Sequence, residues 1–233
     1  MSLLDSLVGK LIVSCQALPD EPLHGAAVMA KMANAAFIGG AGGIIANGAQ
    51  DIAAIKAKVS LPVIGVLNRH YSDSVVCLTP TLADIRGLMG AKPDLISIET
   101  GYRPRPGGEQ LKDVLEQIRS QYPQVLLLAA IATLEEAQLA QSLGFDGITT
   151  AMYGYTQESK GRHLIDEDYA HLKALCRAVT LPILAEGGIN TPEQSARAIQ
   201  YGAHSVVVGG AITRPQNITR AFVKELSAHE NKS

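Results

Sequence analysis

Ala185-Glu186-Gly187-Gly188-Ile189-Asn190-Thr191-Pro192 and Val208-Gly209-Gly210-Ala211-Ile212-Thr213-Arg214-Pro215 are two stretches built to one plan. Each leaves a short apolar run, passes a glycine pair and reaches a proline suited to the first turn of a helix. Paired glycines let backbone N–H groups approach an anion with no Cβ in the way, and the helix start that follows adds partial positive charge. A single loop of this kind reads equally well as a tight turn. Two in succession point to an anion, with Gly187, Gly188, Gly209, Gly210 and Arg214 as the candidate phosphate-binding residues.

Working back from this corner, short apolar runs alternate with longer helical patterns to the N-terminus. The runs predict eight strands: Leu11–Cys15, Gly42–Ile45, Val63–Leu67, Leu95–Ile98, Val125–Ala129, Gly147–Thr150, Ile183–Ala185 and Ser205–Val208. Helices are predicted to begin near His24, Gln50, Leu82, Glu109, Leu134, Asp166, Thr191 and Arg214. Eight alternations with no segment left over favour a single (β/α)8 TIM barrel over an open doubly wound sheet, with one domain over 1–233. In such a barrel the two glycine loops follow strands seven and eight, the common phosphate site of the fold. Two connections are long, 68–79 and 153–165, and the first is expected to carry a short extra strand at Val75–Thr79.

Composition narrows the function classes. Of the 233 residues, 47% are hydrophobic and 18% charged, which suits a large packed core and not a disordered chain. Trp is absent and aromatics are only 4%, so the core is aliphatic, as parallel strands covered by helices require. A net charge of −2 without a basic stripe argues against nucleic acid as a partner. No apolar run approaches the ~18 residues that would span a membrane, and the start of the chain lacks the pattern of a signal peptide. Cys15, Cys77 and Cys176 are scattered and odd in number, which suggests the reducing cytoplasm and offers no zinc spacing.

Several segments then carry a resemblance: LIVSCQALPDEPLH at Leu11–His24, LPVIGV at Leu61–Val66, LAEGGINTPE at Leu184–Glu193 and VVGGAITRP at Val207–Pro215. With RPRP at Arg103–Pro106 and GYT at Gly154–Thr156, they resemble the N-acetylmannosamine-6-phosphate 2-epimerase family over nearly the whole chain. The resemblance implies a TIM barrel acting on a small phosphorylated amino sugar, with no redox cofactor and with homodimers common. It also implies proton removal and return at C2 by a lysine ending strand three and a glutamate ending strand seven. Glu186 matches the glutamate, and Gln16 matches a polar pocket residue after strand one.

The chain departs from that pattern at the strand ends. Asn68 occupies the lysine position, and an amide is neither a base near neutral pH nor a cation to hold an enolate. Ile45 stands for an arginine, Glu99 and Ala130 for aspartates, Ala151 for a threonine and Gly188 for a larger, often basic residue. Arg69 is too poor a base to replace the lysine.

The candidate catalytic residues are therefore Glu186, Glu99 and His70, and the candidate substrate-binding residues are Gln16, Asn68, Arg69 and Tyr153; no metal or cofactor is implied. Each has a competing structural role: an ion pair with Arg103 or Arg105 for Glu99, solvation for His70, plugging of the barrel top for Tyr102 and Tyr153. Cys15 reads as a buried hydrophobe. Three functions fit. One is an epimerase of this family with impaired native activity. Another is an engineered or divergent scaffold whose apolar pocket performs a different proton abstraction, such as a Kemp-type elimination with a glutamate base. The last is a non-catalytic phosphosugar binder.

Overall fold

The structure, a computed structural model, describes residues 2–230. Eight parallel strands close in sequence order: β1 (Leu11–Cys15), β2 (Gly43–Asn47), β3 (Val63–Val66), β4 (Leu95–Glu99), β5 (Leu126–Ala130), β6 (Gly147–Thr149), β7 (Ile183–Glu186) and β8 (Ser205–Val208). The ring is sealed where β8 pairs with β1, Val208 standing opposite Val13. Between the strands run α1 (Ala26–Ile38), α2 (Gly48–Lys56), α3 (Leu82–Met89), α4 (Leu111–Gln121), α5 (Leu134–Ser142), α6 (Asp166–Ala178) and α7 (Pro192–Gln200). The fold is the (β/α)8 barrel that the alternation predicts. Thr81, Thr133 and Thr191 start α3, α5 and α7 with capping boxes, their hydroxyls accepting the backbone N–H of Asp84, Glu136 and Gln194.

Period-two alternation divides each strand between two cores. Outward residues such as Val13, Ile44, Ile96, Ile98 and Val206 pack under the helices. Inward residues such as Ile12, Ile45, Ile64, Leu95, Leu128, Leu184 and Val207 fill the barrel. Its floor is closed by a 3-10 turn before β1, which sends Leu4 and Leu7 up into the lumen. Glycine makes room for them: a Cβ on Gly43 would touch Leu7 Cδ2 at 3.4 Å, and one on Gly147 would meet Leu128 Cδ2 at 2.9 Å.

Two expectations need correction. The second strand runs on to Asn47, so Ile45 is a buried lumen residue two positions below the strand end. Val75–Thr79 is not a strand; the loop after β3 folds back on itself through isolated antiparallel bridges, Asn68 to Leu78 and Tyr71 to Ser74. The last helix begins where expected, as a long α9 (Pro215–Glu230), and an additional one-turn α8 (Gly210–Thr213) precedes it. α9 carries Phe222, Val223 and Leu226 exposed.

Candidate functional site

β7 brings Leu184 into the lumen, so Glu186, two residues on, points inward at the mouth. Its Oε2 accepts a hydrogen bond from Thr149 Oγ1 at 2.6 Å. Its backbone is pinned by Thr150, whose hydroxyl donates to Glu186 O at 2.7 Å and accepts from Glu186 N at 2.8 Å. Burial pushes the carboxyl above the usual carboxylate range, and the Thr149 bond pulls it only partly back. No arginine or lysine forms an ion pair with it among the described residues. This is the environment that turns a carboxylate into a competent base near neutral pH.

The rest of the mouth has two unlike walls. Over β1 to β3 the inward side chains form an amide network. Asn68 Nδ2 donates to Gln16 Oε1 at 2.9 Å, Gln16 Nε2 donates to Ser14 Oγ at 2.9 Å, and Asn68 N donates to Asn47 Oδ1 at 2.9 Å. Asn47 is a mouth residue that sequence reading missed; the inward series Gly43, Ile45, Asn47 is the signal that would have found it. Over β5 and β6 the wall is made of Ala130, Ala132 and Ala151, in apolar contact with Met152 and Leu78.

The remaining candidates are engaged by other partners or exposed. Glu99 is 2% exposed, and its Oε2 accepts the backbone N–H groups of Cys77 at 2.8 Å and Leu78 at 3.1 Å. Its Oε1 meets Arg103 Nε at 3.3 Å, so the carboxylate latches the β3 loop onto β4. Arg105 is buried and completes the latch, donating to the carbonyls of Thr79, Pro80 and Glu99. Arg69 turns to the start of α3, pairing with Asp84 at 2.7 Å. His70 is exposed in the same loop. Tyr153 is buried and lies flat on the His171 ring of α6, centroids 4.0 Å apart, in the outer core between strands and helices. Tyr102 is exposed. Cys15 is fully buried, its thiol pushed up to about 12 by burial.

The glycine corner lies beside Glu186. Gly187 and Gly188 have φ of 107° and 72°, values that favour glycine. Among the described residues, the N–H groups of Gly187, Gly188 and Gly209 donate to no protein acceptor. Arg214 is held by Glu21 of the loop after β1, with Nε on Oε1 at 2.5 Å and Nη2 on Oε2 at 3.0 Å. That clamp leaves Nη1 beside the turn, 3.9 Å from where a Cβ on Gly210 would stand. Glu21 was not a sequence candidate. No group of three or more His, Cys, Asp and Glu side chains among the described residues could hold a metal ion.

Fold and mouth together define a (β/α)8 barrel with a small-molecule site at the C-terminal ends of its strands. The family described as "Putative N-acetylmannosamine-6-phosphate epimerase" matches residues 29–228, and the chain belongs to that family of carbohydrate epimerases. A relative from Enterobacter sp. (strain 638) bearing the 2-epimerase name is 53% identical over 228 residues, which are 98% of this chain and 97% of the relative. One from Listeria monocytogenes is 44% identical, covering 97% of this chain and 95% of the relative. The solved N-acetylmannosamine-6-phosphate 2-epimerase of Clostridium perfringens superposes with a TM-score of 0.91 at 44% identity, covering 96% of each chain. Thiamine phosphate pyrophosphorylase from Pyrococcus furiosus, at 15% identity and TM-score 0.59, shares the fold alone. No described helix is long and apolar enough to cross a membrane.

Proposed function

We propose that the chain binds a small phosphorylated amino sugar of the N-acetylmannosamine 6-phosphate type and moves the proton at C2 with Glu186 as the base. The observation that carries this reading is a half-buried carboxylate, held by one hydroxyl bond and raised by desolvation, next to a corner of free backbone N–H groups. Phosphate in the glycine corner anchors one end of the open-chain sugar. The carboxylate then takes the proton from the carbon beside the aldehyde, and the electron pair passes to the aldehyde oxygen as an enolate. Return of a proton to the opposite face gives N-acetylglucosamine 6-phosphate.

The amide wall sets the limit on this chemistry. Gln16 and Asn68 can donate hydrogen bonds to the enolate, but neither supplies a proton or a charge. Enolate stabilisation and proton return to the second face are therefore weak, and native epimerisation is expected to be slow. Glu99 acts through position, by holding the β3 loop in place. Loss of C2 proton exchange in Glu186→Gln tests the assignment; undiminished exchange in that variant would falsify it.

The alanine wall favours one alternative. Ala130, Ala132 and Ala151 leave an apolar face near the raised carboxylate of Glu186, which suits proton abstraction from a flat aromatic substrate of the Kemp type, in a divergent or engineered scaffold. Phosphosugar binding without C2 exchange would instead mark a non-catalytic binder. We further infer a homodimer, because Phe222, Val223 and Leu226 form an exposed apolar stripe on α9, and a cytoplasmic location, because Cys15, Cys77 and Cys176 are all free thiols. A monomer mass by light scattering at micromolar concentration would rule the dimer out.

A further inference from the structure

We propose that the imidazole of His163 is a ligand of the substrate phosphate, reaching the glycine corner from the long loop between β6 and α6. This rests on the reading of that corner as an anion site. A Cβ on Gly188 would stand 3.3 Å from both Cβ and Nδ1 of His163, so the ring lies directly against the Gly187-Gly188 turn. The turn is oriented toward a ligand on its N–H side. The carbonyl of Gly188 accepts from Asn190 Nδ2 at 3.0 Å and that of Glu186 from Thr150 Oγ1 at 2.7 Å, while the N–H groups of Gly187 and Gly188 meet no protein acceptor among the described residues.

His163 is itself fixed and available. Its backbone N–H donates to Asp166 Oδ2 at 2.7 Å, which holds the residue at the start of α6, while its side chain is exposed. The other histidines with described side chains are placed differently. His24 meets Ala17 O, His204 meets Leu4 O at the barrel floor, His171 lies under Tyr153, and His70 belongs to the β3 loop. His163 thus adds a ring donor on one side of the corner, as Arg214 Nη1 adds a guanidinium donor on the other. A phosphate dianion between them meets free backbone N–H groups and two side chains able to carry positive charge.

The test is a titration of the full chain with inorganic phosphate, followed by NMR of the histidine ring nitrogens and the glycine amides, with His163→Gln used to assign the ring. The expected result is that the His163 ring and the amides of Gly187, Gly188 and Gly209 shift together. His163→Gln should then weaken phosphate binding by about fivefold or more, the scale of one charge-assisted hydrogen bond, while His163→Lys keeps most of the affinity. Movement of the glycine amides with a silent His163 ring would overturn the proposal and leave the corner as an anion site. If phosphate moves neither, the corner reading fails and takes this proposal with it.

Discussion

Thr149 Oγ1 donates to Glu186 Oε2 at 2.6 Å, and this bond alone opposes the burial that raises the Glu186 carboxyl. The two residues sit on neighbouring strands, with Glu186 two residues beyond Leu184, the register partner of Thr149. Removing the hydroxyl with Thr149→Val leaves burial unopposed, so the carboxyl pKa rises further. Catalysis by the carboxylate form then needs a higher pH. The acidic limb of the kcat profile is expected to move upward in Thr149→Val, and an unmoved limb would contradict Glu186 as the base.

The same burial makes Glu186 a cost to stability. The folded chain holds its carboxyl proton more tightly than the unfolded chain does. Folding therefore takes up a proton between the ordinary carboxylate pKa and the raised one, and stability from this group falls as pH rises through that window, then stays level. Glu186→Gln removes the buried charge. Its Tm is expected to exceed that of the wild type at neutral pH, with the gain vanishing below the ordinary carboxylate range. Thermal melts at both pH values check this; a gain of equal size at both would contradict it.

Glu21 orients Arg214 by a two-point clamp across 193 residues of chain. Glu21→Gln is expected to raise KM for a phosphorylated substrate by about tenfold, the scale of losing one oriented charged contact, with kcat changed less. Arg214→Ala should do at least as much. A KM unchanged in both variants would remove Arg214 from the phosphate site.

Leu7 is fully buried in the barrel floor, with Cδ2 3.4 Å from where a Cβ on Gly43 would stand. Leu7→Ala is expected to cost about 2–5 kcal/mol in urea unfolding, with little effect on ligand binding at the opposite end. A cost below about 1 kcal/mol would mean the floor collapses to fill the hole.

Asn68→Lys places an ammonium where the side-chain oxygens of Gln16 and Asn47 now accept hydrogen bonds from Asn68 Nδ2. Those acceptors can hold the new cation at the mouth. Epimerisation is expected to rise by about tenfold or more, the lower range for one positioned proton-transfer group. A coupled assay for N-acetylglucosamine 6-phosphate reads the gain, and no gain in a folded variant would show that Asn68 is not what limits the reaction.

The barrel was legible because each strand is a short apolar run ended by turn residues; the first and last strands match their predicted bounds, and the other ends differ by at most two residues. The boundary of β2 was misread because Asn47-Gly48 looks like a turn, although its alternation continues the lumen face. The corner glycines and Glu186 were visible for the same local reason, since strand, glycine pair and helix start are contiguous. What was hidden depends on distant backbone. Nothing near Glu99 announces that the N–H groups of Cys77 and Leu78 will fold over it. Likewise Tyr153 meets His171 only when α6 turns back against the barrel, and Glu21 meets Arg214 only when β8 closes on β1.

The most direct test is proton NMR of N-acetylmannosamine 6-phosphate in D2O with the wild-type chain and with Glu186→Gln. Glu186 as sole base facing an amide wall should remove the C2 proton signal in the wild type faster than N-acetylglucosamine 6-phosphate accumulates, and the exchange should disappear in Glu186→Gln. Epimer appearing as fast as deuterium enters C2, or exchange that survives the loss of Glu186, would contradict it.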